Sequence, residues 1–246
     1  MTKKIALVTG AMGGIGTDIC KFLARDGMTV VANCLPGHPQ KDEWLARMKS
    51  EGFDFVAAEG DVSNYDSCAA MVKKIEAEVG PVDVLVNNAG ITKDGMFRKM
   101  DRAQWDAVIN VNLSGIFNVT HQVIGGMVDR GWGRVINISS INGVRGQAGQ
   151  TNYCSAKAGE LGFTKALAQE VAKKGVTVNA ICPGYIATEM TMAIKEEVRA
   201  QIIAQIPVGR AGTPADIAGA VSYLASDISS FITGTTLNIN GGLHMY

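Results

Sequence analysis

The residues of this chain best suited to acid–base chemistry are a tyrosine and a lysine four positions apart, Tyr153 and Lys157. If residues 152–174 form a helix, the two side chains project from one face of it. An ammonium held near a phenol favours the phenolate and lowers the phenol pKa from its ordinary value near ~10. A tyrosine in such a setting can donate a proton near neutral pH. The pair therefore predicts a general acid.

A glycine-rich turn near the N-terminus, residues 9–16, lies between a predicted strand and a predicted helix. Gly10 permits a tight turn, Gly14 lets the backbone approach a pyrophosphate, and Gly16 allows the helix to pack closely on the strand. The helix N-terminus offers unpaired N–H groups and the positive end of its dipole to phosphate. The turn therefore predicts a dinucleotide site, although its spacing is G-x-x-x-G-x-G rather than G-x-G-x-x-G.

Short β-branched runs alternate with helical stretches along the whole chain. Strands are predicted at 4–9, 29–32, 53–57, 82–86, 134–139, 176–181 and 236–239. Helices are predicted at 15–26, 40–50, 64–79, 102–129, 152–174, 189–205 and 214–225. Continuous apolar strands between helices indicate a parallel sheet that is covered on both faces. Without a repeat or a linker, the chain is predicted to form a single Rossmann-type, doubly wound α/β domain over residues 1–246.

Bulk composition argues against several functional classes. Lys+Arg and Asp+Glu number 23 each, so the chain has a formal net charge of zero. It therefore lacks the positive charge that would favour a nucleic-acid or membrane-surface role. No apolar run approaches the ~20 residues of a membrane span, and the N-terminus lacks the features of a signal peptide. The five cysteines are widely spaced, and neither they nor the three histidines show metal-ligand spacing. We therefore expect a cytoplasmic protein without a metal or a disulfide framework.

Taken in order, the motifs resemble those of the short-chain dehydrogenase/reductase family over essentially the whole chain. Besides the glycine turn and the Tyr–Lys pair, the matching segments are 61–62, 87–90, Asn112, Ser140 and 183–184. Within the family the chain is most similar to the acetoacetyl-CoA reductases of polyhydroxybutyrate synthesis, through residues 88–92, 146–153 and 240–245. The resemblance implies NAD(P)H-dependent reduction of a 3-oxoacyl-CoA to an (R)-3-hydroxyacyl-CoA.

The resemblance also implies a role for each of four catalytic residues. Tyr153 is expected to protonate the developing alkoxide, while Ser140 hydrogen-bonds and polarises the substrate carbonyl. Lys157 is expected to lower the Tyr153 pKa and to hold the nicotinamide ribose, and Asn112 to position a water that continues the proton relay. Because the cofactor supplies the hydride and two oxygen donors stabilise the oxyanion, no metal is required. A further polar residue, Asn87, is expected to tie the central sheet together.

The cofactor site implied by the resemblance extends from an adenine end to a nicotinamide end. Asp61 is expected to receive the adenine amino group, with Val62 packed beside the ring. Pro183 and Gly184 are expected to form a turn beside the nicotinamide, with Thr188 near the carboxamide. The other residues expected to contact the cofactor are Gly10, Met12, Gly14, Ile15, Gly16, Asn88, Ala89, Gly90, Tyr153 and Lys157.

The choice between NADPH and NADH depends on the segment after the second predicted strand, residues 32–42. NAD enzymes usually present Asp or Glu there, and NADP enzymes present Arg nearby. The strand end here carries no carboxylate to repel a 2′-phosphate and no arginine to bind one. Relatives tend to be basic at the position of Gln40, although Lys41 or His38 could meet a phosphate. The sequence favours NADPH slightly, with dual use or NADH close behind.

In this family the residues just before Tyr153 line the substrate side. Gln147 and Gln150 are predicted to hydrogen-bond an acyl thioester, and Tyr185 to cover the short acyl chain. The segment 186–205 is predicted to form a lid over the substrate. Two alternatives stay open: a 3-oxoacyl-acyl-carrier-protein reductase, whose family is very similar, and a non-catalytic dinucleotide-binding regulator.

The predicted helix at 153–174 is small or apolar on most of its sides. A helix of this kind needs partners on two faces. One face is expected to cover the sheet, and the other to meet its copy about a two-fold axis. Because the family is usually tetrameric, we expect a homotetramer that acts on a small-molecule acyl-CoA, with neither nucleic acid nor membrane as a partner.

Overall fold

A parallel sheet is the framework of the protein. In a computed structural model that describes residues 3–192 and 195–245, apart from the side chains of Met190 and Met192, the sheet has seven strands in the order β3-β2-β1-β4-β5-β6-β7. Every neighbouring pair runs parallel. The strands are β1 (Ile5–Val8), β2 (Thr29–Cys34), β3 (Val56–Glu59), β4 (Val84–Asn87), β5 (Gly133–Ile138), β6 (Val176–Pro183) and β7 (Thr236–Ile239). This confirms the predicted doubly wound α/β fold, in which loops diverge and leave a crevice beside β1 and β4.

Helices cover both faces of the sheet. They are α1 (Gly14–Arg25), α2 (Lys41–Ser50), α3 (Tyr65–Glu78), α4 (Arg102–Val108), α5 (Gly115–Arg130), α6 (Asn142–Arg145), α7 (Thr151–Val171), α8 (Glu189–Met192), α9 (Glu196–Ala204) and α10 (Pro214–Ala225). Helices α1 and α10 pack together on one face, whereas α3, α5 and α7 share the apolar core of the other. Within the described residues, no helix is both long enough and apolar enough to cross a bilayer.

Alternate residues of each strand build two apolar cores. In β1, Ala6 and Val8 join the core beneath α1 and α10, while Leu7 joins the core beneath α3 and α5. The alternation follows because successive side chains of a strand point to opposite faces. Burying a side chain such as Leu7 stabilises the fold by about 2 kcal/mol. The demand for apolar residues on both faces explains why the strands appear in the sequence as unbroken apolar runs.

The third strand begins later than the prediction of 53–57. The ladder to β2 begins at Val56, and the two phenylalanines before it lie outside the ladder. Phe55 instead stacks on Trp44 of α2 with ring centroids 5.5 Å apart, and Phe53 stacks on Phe55. Aromatic residues are common both in strands and in loop segments that cover a helix. The prediction therefore began the strand too early by counting Phe53 and Phe55 as part of it.

Two of the predicted helices are divided in the structure. The helix predicted at 102–129 consists of α4, a π-helical segment Ile109–Ser114 and α5. A π-helical segment rotates the residues after it and occurs frequently at functional sites. Asn112 lies within this segment and is fully buried. The helix predicted at 189–205 consists of α8 and α9, and residues 193–194 between them lie outside the described part of the chain.

A chain of buried polar side chains connects the centre of the sheet to α5 and α7. Asn87 on β4 donates from Nδ2 to Thr120 Oγ1 (3.0 Å) and to Asn137 Oδ1 on β5 (2.9 Å). Asn137 donates from Nδ2 to Thr164 Oγ1 (2.9 Å), which in turn donates to the carbonyl of Glu160 (2.7 Å). These bonds confirm that Asn87 ties the central sheet together, and they fix α7 against β5.

Replacing Asn137 by alanine should therefore destabilise the fold by about 3 kcal/mol, because two buried neighbours, Asn87 and Thr164, each lose one of their two hydrogen bonds. Urea unfolding at one fixed protein concentration measures the change. Asn110→Ala, at an exposed position, serves as a control and should change the free energy of unfolding by less than about 0.5 kcal/mol. Equal effects of the two substitutions would show that the buried chain contributes nothing specific.

Candidate active site

The carboxyl ends of the central strands border a cleft of about 470 Å³. Its walls come from the glycine turn after β1, the loop after β4, the end of β5, the start of α7 and the turn after β6. The predicted site residues that line it are Gly10, Gly14, Ile15, Gly16, Asn88, Ala89, Gly90, Ser140, Tyr153, Lys157, Pro183, Gly184 and Thr188. Segments far apart in the chain therefore meet here.

A second cleft of about 220 Å³ adjoins the first and holds the remaining residues predicted to contact the cofactor, Met12, Asp61 and Val62. The carboxylate of Asp61 is oriented by Ser63, whose N–H and hydroxyl both donate to Oδ1 (2.9 and 2.7 Å). The two clefts share the lining residues Gly10, Ala89, Gly90 and Ile91. Together they form one elongated groove.

Tyr153 and Lys157 lie one turn apart on α7, with Lys157 Nζ 5.7 Å from the centroid of the Tyr153 ring. The lysine side chain is buried, and its Nζ donates to the carbonyl of Ile138 and to Glu160 Oε1, both at 2.8 Å. The Ser139 hydroxyl donates to the carbonyl of Lys157 (2.8 Å) and so anchors the helix to the end of β5. The ammonium is thereby fixed beside the phenol.

Burial and pairing act in opposite directions on the ions of this pair. Burial lowers the pKa of Lys157, but the nearby Glu160 carboxylate and Tyr153 raise it, so that the pKa of the lysine lies above its ordinary value. Burial raises the pKa of Glu160 to about 7, although the charge of Lys157 lowers it. The lysine therefore stays charged through the neutral range, whereas Glu160 exchanges its proton near pH 7.

Ser140 is the second residue after β5 and is about nine-tenths buried. Its Oγ accepts a hydrogen bond from the backbone N–H of Asn142 (3.1 Å). Because a hydroxyl that accepts one bond can still donate its hydrogen, Ser140 remains able to donate to an oxygen in the cleft. The structure thus brings this hydroxyl to the same cleft as Tyr153 and Lys157.

The side chain of Asn112 is hydrogen-bonded to the backbone of the loop after β4. Its Oδ1 accepts from the N–H of Ile91 (2.9 Å), and its Nδ2 donates to the carbonyl of the same residue (3.0 Å). A Cβ atom added to Gly90 would lie 3.6 Å from Asn112 Oδ1 and 3.7 Å from Lys157 Nζ. The amide and the ammonium therefore both lie close to Gly90. The water relay predicted for Asn112 stays a prediction.

The glycine turn is shaped by close contacts that exclude side chains. Gly10 has a φ of +58°, and a Cβ there would lie 2.8 Å from Ala89 Cα. Asn88 Nδ2 donates to the carbonyls of Gly10 and its predecessor, at 3.0 Å each. Across the cleft, a Cβ on Gly14 would lie 3.2 Å from the Thr188 side chain. The first N–H groups of α1 have no intrahelical acceptor, which suits an anion in this cradle.

The basic residues near the end of β2 differ in their availability to a ligand. Lys41 Nζ forms an ion pair with Glu59 Oε1 (2.7 Å), and Glu59 Oε2 also accepts from the N–H of Gly37 (3.3 Å). His38 lines the second cleft, and its Nδ1 accepts from the N–H of the exposed Gln40 (3.3 Å). Lys41 is therefore engaged with a carboxylate, whereas His38 borders the groove and Gln40 is exposed beside it.

The residues predicted to touch the substrate lie apart from the described side chains that line the main cleft. Gln147 is exposed. The Gln150 side chain accepts from Asn142 Nδ2 and donates to Asp94 Oδ2, both at 2.9 Å. The Tyr185 hydroxyl donates to a carbonyl of α8 (3.1 Å). Substrate contacts by these three residues stay predictions.

Sequence reasoning missed Glu160, the buried partner of Lys157. Its position three residues after Lys157 was a usable signal, since residues three apart share a helix face. Its burial depends on β5 and β6, which the spacing within one helix does not reveal. Ile186 and Thr191, which also line the main cleft, were missed; Ile186 lies in the loop after β6, and Thr191 lies in the short helix α8 that follows.

Comparison with known proteins places this cleft in a family. The family model described as short chain dehydrogenase matches residues 4–199. The chain is 65% identical to nodulation protein G of Azospirillum brasilense over 244 residues, which is 99% of each chain. It is 60% identical to the acetoacetyl-CoA reductase of Cupriavidus necator over 245 residues, the full length of both. The 3-oxoacyl-acyl-carrier-protein reductase of Staphylococcus aureus is 42% identical over 245 residues, 100% of this chain and 99% of that protein.

The similarity extends over both the nucleotide-binding half and the segment that carries the tyrosine and the lysine. Because the family model covers most of the chain and full-length relatives share more than half of its residues, the chain belongs to the short-chain dehydrogenase family of NAD(P)H-dependent oxidoreductases.

Proposed function

We propose that this chain is a cytoplasmic acetoacetyl-CoA reductase that forms the (R)-3-hydroxyacyl-CoA used in polyhydroxybutyrate synthesis. The observation that carries the proposal is the cleft in which Ser140, Tyr153 and Lys157 meet the glycine turn. Greater similarity to the Cupriavidus necator enzyme than to the Staphylococcus aureus carrier-protein reductase supports a CoA thioester as the substrate. Five unpaired cysteines support a reducing compartment.

The residues of the groove fit a nicotinamide dinucleotide. Asp61 and Val62 would hold the adenine end, and the first N–H groups of α1 the pyrophosphate. Lys157 would hold the nicotinamide ribose, and Thr188 the carboxamide. The absence of side chains from Gly10 and Gly14 gives a ligand close access to the backbone. When bound, the cofactor supplies the hydride, while the protein supplies orientation and the proton.

Two hydroxyl groups act on the carbonyl oxygen of the substrate in the proposed reaction. Ser140 and Tyr153 both donate to the substrate carbonyl oxygen, on which negative charge develops during reduction. Tyr153 then gives its proton to that oxygen, and the ammonium of Lys157 stabilises the phenolate that remains. Asn112 supports this step by holding the loop next to the lysine and by positioning a water for proton return.

The segment 186–205 closes over the acyl chain in this proposal. Ile186, Thr188 and Thr191 already line the cleft, and the Tyr185 hydroxyl connects the end of β6 to α8. Gln147 and Gln150 approach the thioester from the opposite side. Closure of such a segment excludes water from the reacting atoms and strengthens the electrostatic interactions there.

The central test is reduction of acetoacetyl-CoA, followed through the nicotinamide absorbance. Tyr153→Phe should lower kcat/KM by about 10³-fold, because general acid catalysis typically contributes 10²–10⁴-fold. Tyr223→Phe removes a hydroxyl from α10, at a distance from the cleft, and should leave the rate unchanged.

Undiminished turnover by Tyr153→Phe would contradict its role as the proton donor. Turnover of acetoacetyl-acyl-carrier-protein, with none of acetoacetyl-CoA, would instead assign the chain to fatty-acid synthesis. Absence of turnover with both substrates would contradict the proposed substrate class as a whole.

For the cofactor, we propose that the enzyme uses both NADPH and NADH, with NADPH preferred by less than about tenfold. Among the described residues that line the second cleft there is no arginine, and the one carboxylate, Asp61, is expected at the adenine end, so neither dinucleotide is strongly selected. Pairing of Lys41 with Glu59 removes the nearest strong cation from competition for a 2′-phosphate.

Gln40→Arg should raise the ratio of kcat/KM for NADPH to that for NADH by about tenfold, because a guanidinium binds phosphate well. Gln40→Glu is the matched charge reversal and should lower the same ratio. Initial rates with each cofactor at equal concentrations give both values. Unchanged ratios in both variants would show that Gln40 lies away from the 2′-phosphate.

We infer that the chain assembles as a homotetramer. On α7 a stripe of small residues, Ala158, Gly162 and Ala166, is exposed in the single chain. A separate apolar surface after α10 contains the exposed Ile228 and Phe231. A tetramer with two-fold symmetry buries two different self-complementary surfaces, and these two satisfy that requirement.

Light scattering at micromolar concentration should therefore give about four times the chain mass of 26.0 kDa. Ala166→Glu places a charge within the α7 stripe and should reduce the assembly to a dimer. Lys49→Glu changes an exposed residue of α2 and should leave the mass unchanged. A monomeric wild-type protein would contradict the inference.

A further inference from the structure

A buried carboxylate lies directly behind the lysine of the active site. The Glu160 side chain is 1% exposed and that of Lys157 is 5% exposed, and their charged atoms are 2.8 Å apart. The second carboxylate oxygen, Glu160 Oε2, is buried without a hydrogen-bond partner. A buried ion with an unsatisfied oxygen is costly, and no step described above makes use of it.

The surroundings of this pair contain few titratable groups. Tyr153 faces Lys157 from the same helix, and the Cys182 thiol faces the pair from β6. From β5 come the carbonyl of Ile138 and the hydroxyl of Ser139, which carry no charge. Burial raises the pKa of Cys182, so the thiol stays neutral near pH 7. The net charge beside Tyr153 is therefore set by the lysine and Glu160.

We propose that Glu160 is a positioning residue that balances the charge of Lys157 and thereby sets the pH range over which Tyr153 can donate its proton. This inference rests on the proposed function, because it takes Tyr153 as the proton donor. Glu160 touches neither the cleft nor the reacting atoms, and it acts through the lysine.

The electrostatic argument is direct. When Glu160 is ionised, the pair is neutral as a whole, and the ammonium stabilises a Tyr153 phenolate less than an isolated ammonium would. The phenol then keeps its proton to higher pH, which favours reduction. When Glu160 carries a proton or is replaced by a neutral residue, Tyr153 and the Ile138 carbonyl still favour the protonated lysine, and its positive charge is then unbalanced. The phenol then loses its proton at lower pH.

Reduction requires the protonated phenol, so the effect appears on the alkaline side of the pH–rate profile. Glu160→Gln and Glu160→Leu both remove the charge and should move the alkaline fall of kcat to lower pH by about one unit. Glu170→Gln removes an exposed carboxylate from the same helix, and its profile should coincide with that of the wild type.

A second readout needs neither cofactor nor substrate. Burial raises the pKa of Glu160 to about 7 in the folded protein, above its value in the unfolded chain. The contribution of Glu160 to the free energy of unfolding is therefore favourable at low pH and is lost as the pH rises through about 7. The Tm of the wild type should therefore fall relative to that of Glu160→Gln between pH 5 and pH 8. The Glu170→Gln variant should show no such relative change.

Wild-type profiles in both folded Glu160 variants, with normal wild-type turnover, would overturn this inference and leave the proposed function intact. A failure of the wild type to reduce acetoacetyl-CoA would overturn the proposed function. In that case, profiles measured with a 3-oxoacyl-acyl-carrier-protein substrate, together with the Tm comparison, still decide the role of Glu160. If Glu160→Gln does not fold, Glu160→Leu, which buries no polar group, provides the comparison.

Discussion

The active site depends on the docking of one helix, α7, onto the carboxyl end of one strand, β5. The Ser139 hydroxyl holds the backbone of Lys157, and the Ile138 carbonyl holds its ammonium. Deeper along the same helix, Thr164 is bonded to Asn137 of the strand. These contacts place the tyrosine, the lysine and the serine at one edge of the sheet. A shift of α7 would move the tyrosine and the lysine together away from the serine.

Much of this arrangement could be predicted from the sequence, because its determinants are local. The glycine turn requires residues without side chains, and Tyr153 and Lys157 share a face at a spacing that any helix imposes. Unbroken apolar runs reveal strands covered on both sides. What escaped prediction depends on contacts between distant segments: the stacking of Phe55 on Trp44, the π-helical segment around Asn112, and the burial of Glu160.

Glu160 illustrates why a helix that looks nearly uniform in sequence differs so much from side to side. The α7 helix has small residues facing outward, an anchored polar row facing β5, and a carboxylate hidden behind the lysine. A helical projection identifies which residues share a face, but it does not reveal which face lies against a strand. Only the packing of α7 on β5 and β6 distinguishes a solvated glutamate from a buried one that raises the pKa of the lysine.

The groove is continuous, yet its two ends are built from different parts of the chain. The second cleft is lined by residues at and after the ends of β2 and β3, whereas the main cleft is lined by the end of β5, the start of α7 and the turn after β6. If one dinucleotide spans both clefts, as proposed above, binding energy gained in one cleft can be used in the other. Because the two clefts share few lining residues, substitutions in one leave most of the other unchanged. For the proposed reductase, substitutions in the second cleft could therefore change which dinucleotide supplies the hydride, while the residues that act on the carbonyl stay the same.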